Sequence, residues 1–229
     1  MISMTHTNTV TRRDLLRAAA MGSAGLAATA LPLPAAASIR PVPTSPQEAL
    51  ARLMEGNRRF VSGDADEPRR GLDRVRELQE GQQPYAAILG CADSRVPVEI
   101  LFDEGFGDLF TVRVAGNVAT PEEVASLEYA VGVLGSQLVL VLGHSACGAV
   151  TAAVEGKAVP GQISTLFQHI TPAVAAGAGI DAAIEANVRH QVDVIARSST
   201  VVADALQAGR VEVRGAVYSL EDGKVRLLD

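Results

Sequence analysis

From residue 45 onward the chain alternates between two spacings of apolar residues. Ser45 before Pro46 reads as a helix start, with the serine as cap and the proline in the first turn. Leu50, Leu53, Met54, Asn57 and Phe60-Val61 then recur at helical spacing, and Ser62-Gly63 closes the stretch. Residues 64–84 are polar and charged, with a short helix at Leu72–Glu80. Tyr85–Gly90 and Leu109–Val114 read as strands. Gln137–Leu142 is continuously apolar, as a strand buried on both faces should be. Pro97–Phe102 reads as a helical turn. Pro121 opens a helix that runs to about Leu134-Gly135, with Glu122 and Glu123 in the first turn, where acids complement the helix dipole. Ala146–Val154, Ile163–Ala175 and Ile180–Ala208 read as helical stretches. Val211–Leu220 alternates, Glu221-Asp222-Gly223 is a hairpin turn, and Lys224–Leu228 is a last short strand.

Strands and helices in alternation predict an α/β domain with a mostly parallel central sheet flanked by helices and an antiparallel C-terminal edge strand. No internal repeat is visible. In such sheets, sites form beyond the carboxyl ends of the strands. Cys91 follows the apolar run ending at Gly90, and His144 follows the run ending at Gly143. Two strand ends would bring them to the same sheet edge.

The first 46 residues have a different character. Arg12-Arg13 precedes an Ala- and Gly-rich apolar run, roughly Ala18 to Leu31, and Pro32-Leu33-Pro34-Ala35-Ala36-Ala37 follows. A positive start, a short apolar run and a small-residue site predict a signal peptide over 1–37, cleaved near Ala37. The paired arginines add the twin-arginine signature, hence export in the folded state to the periplasm or the outside. The run is too short and Ala-rich to hold a membrane span, so no stable span is expected after cleavage. Residues 38–46, with Pro41, Pro43 and Pro46, read as a stiff linker. A single domain over 47–229 is expected.

Composition narrows the picture. Hydrophobic residues make up 48% of the chain, aromatics only 3%, and there is no Trp, so a large core must be built from Ala, Val, Leu and Ile. The formal net charge is −6, and without residues 1–37 there are 17 basic residues against 25 acidic ones. With no basic stripe, nucleic acid is excluded as a partner.

Candidate chemistry gathers at the two strand ends. Cys91 and Cys147 are the only cysteines of the chain, and His144 lies three residues before Cys147. Two Cys and one His form a zinc ligand set with one position open. Cys147 also falls at a helix start, which favours its thiolate. Two other readings stand beside this one: a Cys91–Cys147 disulfide with His144 incidental, or a closed structural zinc site with Asp93 as fourth ligand. Export of a folded protein allows metal to cap both thiols in the reducing cytoplasm. Asp93 and Arg95, two apart, can pair through a forked, charge-assisted contact. A carboxylate so placed can bind the metal, or stay on Arg95 and accept a hydrogen bond from a metal-bound water. The second use belongs to catalysis. His169, His190 and the Glu185, Arg189, Asp193, Arg197 ladder read as packed or solvated helix residues.

Cys91-x-Asp93-x-Arg95 followed by Val96-Pro97, together with Gly143-His144-Ser145-Ala146-Cys147-Gly148, resembles the signature of β-class carbonic anhydrases. Glu55–Phe60, Arg113 with Gly116-Asn117-Val118, and Ser126–Val131 are similar to further family segments, so the resemblance covers roughly residues 47–229. It implies zinc on Cys91, His144 and Cys147. It also implies reversible hydration of CO2 to bicarbonate and a proton by zinc-bound hydroxide. In these catalytic roles Asp93 orients the nucleophile and Arg95 holds it; Asp93 is also the ligand that can swing onto the metal and shut the site. A narrow apolar pocket is implied, with Val96 and residues after Gly116 as wall candidates, and a homodimer or dimer-based oligomer. A subclass carries a second bicarbonate site built from Trp, Arg and Tyr. Arg113 and Tyr218 match the last two, but Ile88 stands at the Trp position. The same site could hydrolyse carbonyl sulfide or carbon disulfide. Outside the enzymes, the competing reading is an exported zinc-binding or disulfide-stapled binding module.

Overall fold

A computed structural model describes residues 41–175 and 177–229. The expected signal peptide and residues 38–40 of the linker lie outside the described residues. The strands β1 (Ala86–Gly90), β2 (Leu109–Arg113), β3 (Leu138–His144), β4 (Glu212–Tyr218) and β5 (Val225–Leu228) form one sheet in the order β2-β1-β3-β4-β5. The first four run parallel, and β5 returns antiparallel along β4. The predicted α/β class with its antiparallel edge is therefore the observed one. Gly90 pairs with Leu142, so β1 ends one residue before Cys91 while its neighbour β3 ends at His144.

The helices are α1 (Pro46–Ser62), α2 (Leu72–Glu77), α3 (Val98–Leu101), α4 (Pro121–Gly132), α5 (Gly148–Val154), α6 (Phe167–Ile170), α7 (Ile180–Ser198) and α8 (Thr200–Gln207). Side chains alternate across a strand, and β1 and β3 use both faces. Ala86, Ile88, Leu138, Leu140 and Leu142 pack with Ala49 and Leu53 of α1 and Leu101 of α3. Ala87, Leu89, Val139 and Val141 pack with Leu127 of α4, Val188 and Ile195 of α7, and Val202 of α8. Most of the side chains between the layers are aliphatic, and at two points the layers come close together. Gly143 and Gly215 make that possible, because a Cβ at either would lie 2.5 or 2.8 Å from a methyl group of Val188.

At the opposite end of the sheet, α1 is fixed by buried charge pairing. Arg52 Nε donates to Glu104 at 2.8 Å and Arg59 Nε to Asp103 at 2.7 Å, while the Tyr85 hydroxyl donates to Glu104 at 2.9 Å. Arg52 also lies over the Tyr85 ring, 4.3 Å from its centroid.

Several stretches depart from the sequence reading. The stretch 180–208 is two helices, because Ser199 takes an extended backbone and its Oγ caps α8 by accepting from Val202 N–H at 3.0 Å. The stretch 163–175 is a short α6 between two 3₁₀ turns, Ile163–Leu166 and Thr171–Ala173, since Pro172 has no N–H to continue a helix. Ala146 is not helical; its φ is 53°. The described part of the linker is tied down, with the buried Pro43 accepting from Gln137 Nε2 at 3.3 Å. In the α7 ladder only Asp193–Arg197 pairs as i, i+4; Glu185 pairs with Arg226, and Arg189 reaches the Asp229 carbonyl.

Candidate metal and catalytic site

Cys91, His144 and Cys147 come together as the sequence predicts. Their ligand atoms all lie within 4.8 Å of one another, and all three residues are buried. Cys91 comes from the turn after β1, His144 ends β3, and Cys147 caps α5. The left-handed Ala146 makes the tight turn that lets residues 144 and 147 face the same point. Ser145 anchors that turn: its N–H donates to the Tyr218 carbonyl and its Oγ accepts from Leu220 N–H, each at 2.9 Å.

The histidine geometry selects one nitrogen. Nδ1 lies 2.9 Å from the Ser145 carbonyl, so Nδ1 carries the hydrogen and Nε2 presents its lone pair. Nε2 is buried and has no hydrogen-bond partner. A buried imidazole nitrogen left unpaired beside two thiols is what a metal ligand looks like before the metal is added. Both cysteines are free thiols in this structure.

The hydrogen bond from Cys147 is the main force drawing the Cys91 thiol down to about 4, and His144 and the Gly116 N–H assist against burial. The same contact, followed by burial, pushes Cys147 well up. Burial works against the charged form of His144, but the negative Cys91 sulfur close by outweighs it and raises the imidazole. A thiolate on Cys91 and a proton kept on Cys147 favour one another. Zinc, a cation preferring thiolate and imidazole, fits this donor set.

Asp93 and Arg95 form the predicted pair. Asp93 Oδ1 accepts from Arg95 N at 2.9 Å and Nε at 3.0 Å, and Oδ2 accepts from Nη2 at 2.8 Å. The Arg95 hydrogen bond holds the Asp93 carboxyl well below the usual carboxylate range. Oδ2 lies 3.8 Å from His144 Nε2, so the ionised carboxylate stands beside the three donors while remaining on its arginine. Arg95 Nη2 also contacts the Ala146 carbonyl at 3.5 Å, linking the two motifs.

Arg113 has a different use from the one the resemblance implies. Its Nε donates to the Cys91 carbonyl at 3.1 Å and its Nη2 to the Asp93 carbonyl at 2.6 Å. Ile88 is fully buried in the core cluster that also contains Tyr218 and Val96. Val118, after Gly116, packs with Cys91 and Cys147. His169 and His190 lie on α6 and α7, half-buried. Sequence reasoning missed Asn187 and Gln191, fully buried amides on α7. Their spacing of four on a face otherwise lined by Ile184, Val188 and Ile195 was the available signal.

This buried centre and its fold define a class. The carbonic anhydrase family model matches residues 86–225. A carbonic anhydrase of Mycolicibacterium smegmatis is 40% identical over 193 residues, covering 80% of this chain and 94% of its own. Carbonic anhydrase 2 of Mycobacterium tuberculosis is 38% identical over 195 residues, covering 81% and 94%. Among solved structures, the Coccomyxa β-carbonic anhydrase in complex with acetazolamide aligns with a TM-score of 0.61 at 29% identity, covering 78% of this chain and 86% of that one. The chain belongs to the carbonic anhydrase family, in its β class. Its activity is accordingly the zinc-dependent, reversible hydration of carbon dioxide to bicarbonate and a proton.

Proposed function

We propose that Cys91, His144 and Cys147 hold the zinc, that Asp93 is the catalytic acceptor and orienter, and that Arg95 fixes it. Zinc, when held there, supplies a Lewis acid that makes hydroxide available near neutral pH. The observation that carries the assignment is the ionised Asp93 carboxylate, 3.8 Å from His144 Nε2 and held on Arg95. An ionised carboxylate can only accept hydrogen bonds. An O–H approaching Oδ2 must therefore turn its hydrogen to Asp93 and its lone pair away, toward the carbon of CO2. Arg95 keeps Asp93 charged. Arg113 holds the backbone on which both Cys91 and Asp93 ride. Val118, fully buried, packs on Cys91 and Cys147 and makes the surroundings of the ligands apolar.

The test is stopped-flow CO2 hydration on purified protein, with metal analysis alongside. Wild type is expected to carry zinc and turn over, and Cys91→Ser to lose both. Stoichiometric zinc with no hydration between about pH 7 and 9, around the pKa expected for the metal's water, would overturn the catalytic reading and favour a non-catalytic zinc module.

Two further features belong to this proposal. The protein works as a homodimer or dimer-based oligomer: β2 is an edge strand, and Tyr129 on the neighbouring α4 and Val133 just after it leave apolar surface exposed. Light scattering that finds an active monomer would refute it. The protein is exported to the periplasm or beyond after twin-arginine targeting, on the strength of Arg12-Arg13 and the apolar run behind them. Among the described residues, no helix is long and apolar enough to cross a membrane. An N-terminal sequence of the exported protein beginning before Ala30 would refute cleavage near Ala37.

A further inference from the structure

The loop after β2 reaches the centre at Cys91. Gly116 N–H points at Cys91 Sγ, at 3.4 Å. Holding that N–H in place requires an uncommon backbone. Gly116 has φ 77° and Asn117, not a glycine, has φ 46°. Consecutive left-handed residues persist only where the surroundings fix them. Side chains cannot be added to do this at Gly116, since a Cβ there would lie 3.0 Å from Ile170 Cδ1 and 3.3 Å from Ala149 Cβ.

The restraint comes from α7. Asn187 Nδ2 donates to the Gly116 carbonyl at 2.9 Å. Gln191 Oε1 accepts from Ala119 N–H at 2.9 Å, closing the other end of the loop. Gln191 Nε2 donates to Asn187 Oδ1 at 2.9 Å and to the His169 carbonyl at 2.8 Å, which orients both amides. Asn187 is 0% and Gln191 1% exposed, so each bond lies in a dry interior where an unmade bond is costly. The helix itself is fixed by Val188 seated over Gly143, the residue before His144. One face of α7 thus touches both the strand that delivers the histidine and the loop that caps the first cysteine.

We infer that Asn187 and Gln191 are positioning residues that tune the metal through Gly116 N–H and Cys91 sulfur. A hydrogen bond to a thiolate withdraws charge from the sulfur, so the sulfur donates less to the metal and the metal polarises its fourth ligand more strongly. The inference rests on Cys91 being a zinc ligand, as proposed above. It predicts that loosening the loop weakens zinc binding and moves the activity profile to higher pH, although neither amide touches substrate or metal.

The experiment compares wild type with Asn187→Ala and Gln191→Leu. Zinc affinity is read by chelator competition, the sulfur-to-metal charge-transfer band in the cobalt-substituted protein, and the pH midpoint of CO2 hydration by stopped flow. Both variants are expected to bind zinc about 10–100-fold more weakly, the range for outer partners of metal ligands. Their charge-transfer band shifts to lower energy and their pH midpoint rises, which simple loss of stability would not produce. Folded variants matching wild type in affinity, band and midpoint overturn the inference. A wild type without any such band overturns the metal-site reading, and this inference with it. Should neither variant fold, a crystal structure of zinc-loaded wild type decides. Gly116 N within hydrogen-bonding distance of Cys91 Sγ, with Asn187 on the Gly116 carbonyl, supports it; a Gly116 N–H turned away refutes it.

Discussion

Replacing Asp93 with asparagine separates orientation of the nucleophile from metal binding and from folding. The carboxylate accepts three hydrogen bonds from Arg95, at 2.9, 3.0 and 2.8 Å. Asparagine keeps one oxygen and sets an NH2 group against either Nη2 or Nε, so at least one charge-assisted bond is lost and two donors face each other. In a dry site such a loss costs about 1.5–3 kcal/mol. Here the Arg95 side chain is 52% exposed, and water takes up much of that loss. The stability cost is therefore below about 1 kcal/mol, or a few degrees at most in Tm for a domain this size. The rate loss is not discounted in this way. A positioned proton acceptor contributes roughly 10²–10⁴-fold, equivalent to about 2.7–5.4 kcal/mol of barrier. Asp93→Asn should thus keep zinc and nearly all its stability while losing at least about 100-fold in kcat by stopped flow. The lowered pKa adds a sign. Because Arg95 holds the folded carboxyl below its ordinary range, Asp93 stays ionised as pH falls through the usual carboxylate region. Its contribution is lost only as pH falls through the lowered value. An Asp93→Asn enzyme with wild-type kcat and full zinc would refute the assigned role.

Three other outcomes follow from the same coordinates. Tyr85→Phe removes a buried bond to Glu104 and should cost about 1.5–3 kcal/mol at pH 7 by urea denaturation. Burial, then Glu104, raises Tyr85 well above its ordinary value, so the tyrosine's contribution is full below pH 10 and fades as pH rises beyond it; a gap between variant and wild type that does not narrow above pH 10 would contradict this. Gly56→Ala would bring a Cβ to 1.8 Å from the Phe102 carbonyl oxygen, which is backbone and cannot swing aside, so α1 must shift. A loss of about 1–3 kcal/mol or more is expected, and an unchanged Tm would show that α1 docks differently. Zinc binding must expel the proton from the raised Cys147 thiol, so affinity weakens as pH falls. Calorimetry in buffers of different ionisation enthalpy should find proton release, and none released would refute a protonated Cys147.

Most of the fold was legible because apolar spacing and capping residues agree along the chain. Ser45-Pro46 and Gly63 bound α1 as expected, and the unbroken apolar run 138–142 became the buried central strand β3. Where reading failed, a single residue acted against its neighbours. Ser199 broke a long helical pattern because its hydroxyl stabilises a new helix start more than the pattern favours continuation. Cys91, Asp93, Arg95, His144 and Cys147 were legible because their chemistry is rare and their spacing short. Asn187 and Gln191 were not, because a polar residue on a helix reads as solvent-facing until the partner it meets is known. That partner is the backbone of residues 116–119, some seventy positions away.

Arg113 shows how one side chain can be legible in identity and not in use. By its match it belongs with a Trp and a Tyr around a second bicarbonate. Here the Trp position is Ile88, a buried aliphatic with no N–H to offer an anion. Arg113 instead directs Nε and Nη2 at the carbonyls of Cys91 and Asp93. Together with Arg95 it grips the loop twice, Arg95 by the Asp93 side chain and Arg113 by the backbone. An anion that drew Nε and Nη2 off those carbonyls would loosen the segment carrying the proposed metal ligand Cys91 and the proposed catalytic carboxylate Asp93 at once. Arg113→Lys, with one donor group in place of a fork, should accordingly weaken zinc retention and kcat together. Loss of bicarbonate sensitivity alone, with zinc and kcat intact, would mean that the clamp is incidental.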